Sequence, residues 1–158
     1  MNDSPPQFGV VPIEEVKTIS GLQFFEGMRD GTYPLPPICE TLDFAGTEFE
    51  KGRIVFSGKP KLSYYNPLGT VHGGYIATLL DSAMSCAVHT TLEAGKGLTS
   101  LEIKINFVRP VTEKTSVLRA EGKIISVGRQ IATAEGRLID ERDKLYAHGT
   151  TTCLIFAL

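Results

Sequence analysis

The sequence predicts an α+β fold in which a curved antiparallel sheet of five to six strands packs on one long central helix, with short helices ahead of it. Three observations carry this prediction. Two strand-like runs come first, one long helical pattern follows, and four more strand-like runs complete the 158 residues. Within the helical pattern, Ile76, Leu79, Leu80, Ala83, Met84, Ala87 and Val88 recur at i, i+3, i+4, i+7, i+8, i+11 and i+12, one apolar stripe at helical period. The later strand runs are joined by turns too short for a crossover, so their pairing is antiparallel.

Residues 1–12 are polar and proline-containing and are expected to be poorly ordered. Ser20 then caps a short helix carrying Leu22, Phe25 and Met28, which Gly31 stops. Pro34-Leu35-Pro36-Pro37 forces an extended turn, and a second short helix runs from Pro37 to about Leu42. Residues 1–40 thus read as an N-terminal extension of one domain whose body is 41–158. Thr47-Glu48-Phe49-Glu50 and Arg53 to Gly58 flank Lys51-Gly52 as a hairpin. The long helix occupies Tyr75 to Thr91. Beyond it, Leu101, Ile103, Ile105 and Phe107 alternate with Glu102, Lys104 and Asn106, the period of a half-buried strand. Ser116 to Ser126, Gln130 to Ile139 and Lys144 to Phe156 follow, separated by Gly128-Arg129 and Glu141-Arg142-Asp143.

A chain of this length with 42% apolar residues sustains its own core without disulfides or a structural metal. Net charge is −2 and the isoelectric point is about 5.9, which gives no support for a nucleic-acid or anionic-membrane binder. Cys39, Cys86 and Cys153 lack the paired spacing of a zinc site or disulfide framework and read as reduced thiols. Met1 to Gln7 holds no basic residue and no apolar run, and no stretch of about 18 apolar residues occurs, so a cytoplasmic protein is expected.

Chemistry concentrates at the start of the long helix. Asn66-Pro67-Leu68-Gly69-Thr70-Val71-His72-Gly73-Gly74 runs straight into it, and two glycines at a helix start leave backbone N–H groups free to face a developing negative charge. Asp81 stands eight residues beyond Gly73. From His72 to Thr91 only Asp81, His89 and His72 titrate, thiols and phenols aside, and an acid alone in a nearly uncharged helix is a functional candidate. Ala77, Thr78, Ser82, Ser85 and Cys86 make the helix face around Asp81 small, as expected where another subunit covers it. Eight residues are about 12 Å of helix. A reacting carbonyl lies about 3 Å from both its oxyanion donor and its attacking group, so one chain cannot supply both Gly73 and Asp81 to one substrate. Two helices antiparallel across a two-fold axis can, which predicts a homodimer with two composite sites.

The run Asn66-x-x-Gly69-x-x-His72-Gly73-Gly74 with Asp81 on the same helix resembles the signature of the PaaI-like acyl-CoA thioesterases, of the hotdog-fold superfamily that includes the 4-hydroxybenzoyl-CoA thioesterases. The likeness extends from about Leu42 to Cys153 and includes the strand Leu98 to Pro110. It implies the hotdog fold and hydrolysis of an acyl-CoA, with Asp81 as general base or nucleophile and Gly73 N–H polarising the thioester carbonyl. It further implies that Asn66 holds the acid or the loop from across the interface, that His72 lies near the thioester, and that Ser100 positions water. CoA would lie along Phe107, Val108, Arg109 and the turn Ser126, Gly128, Arg129 and Gln130, with Gly74 beside it. No metal and no cofactor is implied, CoA being part of the substrate. The assembly implied is a homodimer or dimer of dimers, and residues 1–40 would shape the acyl pocket.

Other readings of the same residues are weaker. Ser100 has no neighbouring His to make it a nucleophile, Cys86 has no activating base, and His89 and His148 read as structural. Phe24, Phe25, Tyr64 and Tyr65 suit an aryl or a long-chain acyl pocket equally. The alternatives to hydrolysis are a non-catalytic acyl-CoA binder and a hydroxyacyl-CoA dehydratase or hydratase.

Overall fold

The computed structural model describes residues 6–158, so residues 1–5 of the stretch expected to be poorly ordered lie outside the described residues. In chain order the elements are α1 (Ile13–Val16), α2 (Gly21–Asp30), α3 (Pro37–Thr41), β1 (Phe44–Glu50), β2 (Arg53–Gly58), a short 3-10 turn (Leu62–Tyr64), α4 (Gly73–His89), β3 (Lys96–Phe107), β4 (Leu118–Val127), β5 (Ile131–Asp140) and β6 (Leu145–Ala157). The six strands form one sheet in the order β1-β2-β4-β5-β6-β3, antiparallel throughout.

Helix α4 touches β2, β4, β5, β6 and β3. Five adjacent strands span about 19 Å and a helix is about 10 Å thick, so only a sheet that curls around the helix meets it along all five. The whole predicted stripe is buried, and Leu79, Leu80 and Met84 meet Ile54, Leu118 and Leu138 of the sheet in one core. Gly122 and Gly136 face each other on β4 and β5 beneath the helix. A Cβ at Gly122 would lie 2.1 Å from the Ala83 carbonyl oxygen, and one at Gly136 would lie 2.8 Å from Met84 Cγ. These two bare positions let the α4 backbone come down onto the sheet, a packing requirement that no local pattern in the sequence announces.

Ser20 and Gln23 form a reciprocal capping box at the start of α2, and Gly31 ends it in the left-handed conformation, as the sequence predicts. Residues 7–9 are not loose: Gly9 N–H donates to Leu35 O and Leu35 N–H to Gln7 O, tying them to the Pro34–Pro37 turn. The one-turn α1 carries no apolar period and was not legible in the sequence.

Two expectations need correction. The small second face of α4 is partly covered by its own chain, because Phe25 meets His89 edge-on at 5.3 Å and Phe24 packs on the same ring. Strand β3 is longer than expected and is not half-buried. It is an edge strand whose alternating apolar residues Leu101, Ile103 and Phe107 are 56%, 36% and 56% exposed. The period is that of a buried face, and one chain covers it only in part: Ile105 packs on the core and the Phe107 ring lies over Gly73.

Candidate active site

The Asn66–Thr70 loop is a self-contained turn. Asn66 Oδ1 accepts from the N–H groups of Leu68 (2.9 Å) and Thr70 (3.3 Å), and its Nδ2 donates to Thr70 Oγ1 (2.9 Å). Both ends of the Asn66 amide are therefore engaged in its own loop, whose φ of +85° at Gly69 suits glycine. Val71 N–H then donates to Val111 O and His72 N–H to Tyr64 O, which delivers the chain into α4 at a fixed angle.

His72 caps the helix: its Nδ1 accepts from Gly74 N–H at 2.8 Å. An accepting Nδ1 places the ring proton on Nε2. With Gly74 thus satisfied, the Gly73 N–H is the first-turn donor that meets no acceptor among the described residues. The Phe107 ring lies over Gly73, so close that a Cβ there would sit 3.2 Å from its Cζ. A bare amide under an aromatic ring at a helix N-terminus suits a carbonyl oxygen gaining negative charge.

Asp81, half-buried two turns further along, accepts from Ser100 Oγ at Oδ1 (2.9 Å). Its Oδ2 has no partner among the described residues. A β-bulge between Ser100 and Glu102 leaves Leu101 unpaired and sets the direction of Ser100 toward α4. Beside the carboxylate, burial pushes the Cys86 thiol up to about 12, and burial raises that of Cys153 as well. Both stay protonated at neutral pH, so neither thiol presents a thiolate beside Asp81. Among the described residues no three His, Cys, Asp or Glu side chains gather as metal ligands.

The structure separates these groups into two half-sites. Asp81 and Ser100 belong to the cross-strand row Ser100, Cys153, Ala132 and Val127, next to the turn holding Ser126, Gly128, Arg129 and Gln130. His72, Gly73 and Gly74 belong with Phe107, in the row Phe107, Ala147 and Leu138. The two rows lie six residues apart along β5 and β6, about 20 Å of strand. Val108 and Arg109 lie beyond that end, where both N–H groups donate to Tyr146 O and the Arg109 guanidinium holds Leu145 O. Arg109 and Arg129 are thus at opposite ends of the sheet and cannot meet one nucleotide within one chain.

Of the expected pocket aromatics only Phe25 lines a cavity near Asp81. Tyr64 stacks on Tyr75 at 4.5 Å, Tyr65 Oη accepts from Glu113 N–H, and Phe24 packs on Tyr33. The cavity, of about 70 Å³, lies between α2, α3 and α4 and is lined by Phe25, Met28, Phe49, Phe56, Ser82 and Cys86, among others. Phe49 and Phe56 were missed because they fall in a hairpin read only for its turn. A wider groove of about 660 Å³ between residues 28–35 and β1 carries Arg29 and Asp30 and reaches neither half-site.

Comparison with known proteins agrees with this geometry. The family model described as the thioesterase superfamily matches residues 68–147. A provisionally named esterase of Saccharolobus solfataricus is 31% identical over 74% of this chain and 78% of its own length. The 1,4-dihydroxy-2-naphthoyl-CoA hydrolase of Listeria monocytogenes is 26% identical over 67% of this chain and 85% of its own. Among solved structures, a variant of the phenylacetic acid degradation protein PaaI from Thermus thermophilus superposes with a TM-score of 0.68 at 26% identity, covering 75% of this chain and 97% of that one.

Proposed function

The chain belongs to the thioesterase superfamily and has its hotdog fold, and from that premise we propose that it hydrolyses acyl-CoA thioesters at sites shared between two subunits. The observation that carries this reading is the pairing of an Asp81 carboxylate, oriented by Ser100, with an unclaimed Gly73 amide on the same helix. Both groups serve attack on a carbonyl, and thioester hydrolysis is the superfamily's reaction.

In the proposed mechanism, Ser100 holds Oδ1 while the free Oδ2 takes a proton from water. The hydroxide adds to the thioester carbonyl carbon, and the oxyanion is held by the Gly73 N–H of the partner subunit at the positive end of its helix. Collapse breaks the C–S bond, the CoA thiolate takes the proton from Asp81, and the products are a carboxylic acid and free CoA. His72 keeps the Gly73 donor in place by fixing the first turn. Arg109 of one chain and Arg129 of the other, brought toward one another by the two-fold axis, are the phosphate ligands in this proposal. Strand β3 supports the dimer, since an edge strand exposing Leu101, Ile103 and Phe107 is a surface for pairing with a second copy.

Asp81→Asn keeps the shape and hydrogen-bonding capacity of the side chain but removes the base. Thiol release from a panel of aryl and aliphatic acyl-CoAs is expected to fall about 10²- to 10⁴-fold with an unchanged circular dichroism spectrum. Turnover equal to wild type would overturn the assignment.

A further inference from the structure

We infer that the cavity between α2, α3 and α4 receives the tail of an unbranched aliphatic acyl group, so that the N-terminal extension selects chain over ring substrates. This inference rests on the thioesterase reading of Asp81 and Gly73. The cavity begins at Ser82, the residue after Asp81, and reaches Cys86, about 6 Å further along the helix axis. Ser82 projects about 100° around the helix from Asp81, and Cys86 lies close enough to the carboxylate to feel its charge, so the compartment lies beside the turns of α4 that carry Asp81.

The lining fixes the chemical class. Among the described residues no charged side chain contributes to it. Its two thiols, Cys39 and Cys86, are pushed by burial up to about 11 and about 12 and are neutral at working pH. The occupant is accordingly uncharged and apolar, which suits an acyl tail and excludes a nucleotide or a second carboxylate.

Volume then separates chain from ring. An apolar cavity that binds benzene measures about 150 Å³. This one is about 70 Å³, and Phe25, Phe44 and Phe56, each less than 8% exposed, form part of its wall. Close-packed aromatic walls do not yield the missing volume without repacking the core. The end of a straight chain fits as it stands. Met28, half-buried and flexible, is the adjustable part of the wall.

The test compares kcat/KM for butyryl-, hexanoyl-, octanoyl- and benzoyl-CoA in the full-length wild type, Cys86→Leu and Met28→Ala. Wild type is expected to favour hexanoyl- or octanoyl-CoA over benzoyl-CoA. Cys86→Leu fills the cavity and is expected to lower the octanoyl-to-butyryl ratio about tenfold, the discrimination one or two methylenes give in an apolar pocket. Met28→Ala enlarges it and is expected to raise the benzoyl-to-hexanoyl ratio; this variant carries the test should Cys86→Leu fail to fold. Wild-type preference for benzoyl-CoA, or ratios unmoved in the folded variants, would overturn the cavity assignment while leaving the thioesterase reading intact. Absence of turnover with every acyl-CoA would overturn both.

Discussion

His72 shows how a side chain beside the proposed reaction centre can act through the backbone. Its Nδ1 takes the Gly74 N–H at 2.8 Å and so leaves Gly73 as the open donor of the first turn. His72→Ala removes that acceptor and is expected to cost about 1 kcal/mol in a urea unfolding experiment, the usual value of a helix cap. His72→Asn, which restores a side-chain acceptor at the same position, is expected to recover most of it; equal losses in both variants would show that the cap contributes nothing. Asp81 and Ser100 illustrate the limits of reading residues in isolation. The sequence singles out Asp81, because an acid among uncharged neighbours is conspicuous. Nothing local links it to Ser100, 19 positions away, because their bond depends on the Leu101 bulge, where a continuous alternation from Leu101 to Phe107 conceals the extra residue.

At the scale of elements, α4 and the capping of α2 are legible because their signals are local: an apolar stripe, Ser20 with Gln23, and a glycine stop. The docking of α2 on the far end of α4 is not, since it rests on a close approach between distant segments. Gly21 N–H donates to Leu92 O, and a Cβ on Gly21 would lie 1.7 Å from the His89 carbonyl oxygen. His89 is enclosed there by Phe24 and Phe25, and burial lowers its pKa below the ordinary value of 6.5. The folded chain thus binds this proton more weakly than the unfolded chain. Stability associated with His89 is complete above pH 6.5 and is lost as pH falls through the lower, folded pKa. The melting temperature of wild type is expected to drop between pH 7 and pH 5 more than that of His89→Phe, by calorimetry across that range; parallel profiles would contradict the assignment.

For the whole molecule, the decisive quantity is the separation between two half-sites. Phe107 and Ser100 stand in cross-strand rows about 20 Å apart, and Gly73 and Asp81, which they meet, are about 12 Å apart along α4. The helix distance was legible from residue numbers alone. The strand distance was not, because it required knowing which residues of β3 stand beside which turn of α4. Under the proposed chemistry both distances call for a second subunit, and the exposed apolar edge of β3 is the surface we propose for it. Complementation between two inactive variants tests this most directly. Asp81→Asn and Gly73→Val, each inactive alone, are co-expressed with different affinity tags, and mixed dimers are isolated and assayed with an acyl-CoA. In a shared site each mixed dimer keeps one wild-type Asp81 facing one wild-type Gly73. Purified mixed dimers are then expected to recover about half of wild-type turnover. If each chain carries its own complete site, every site in the mixed dimer is broken and no activity returns, which would contradict the composite site.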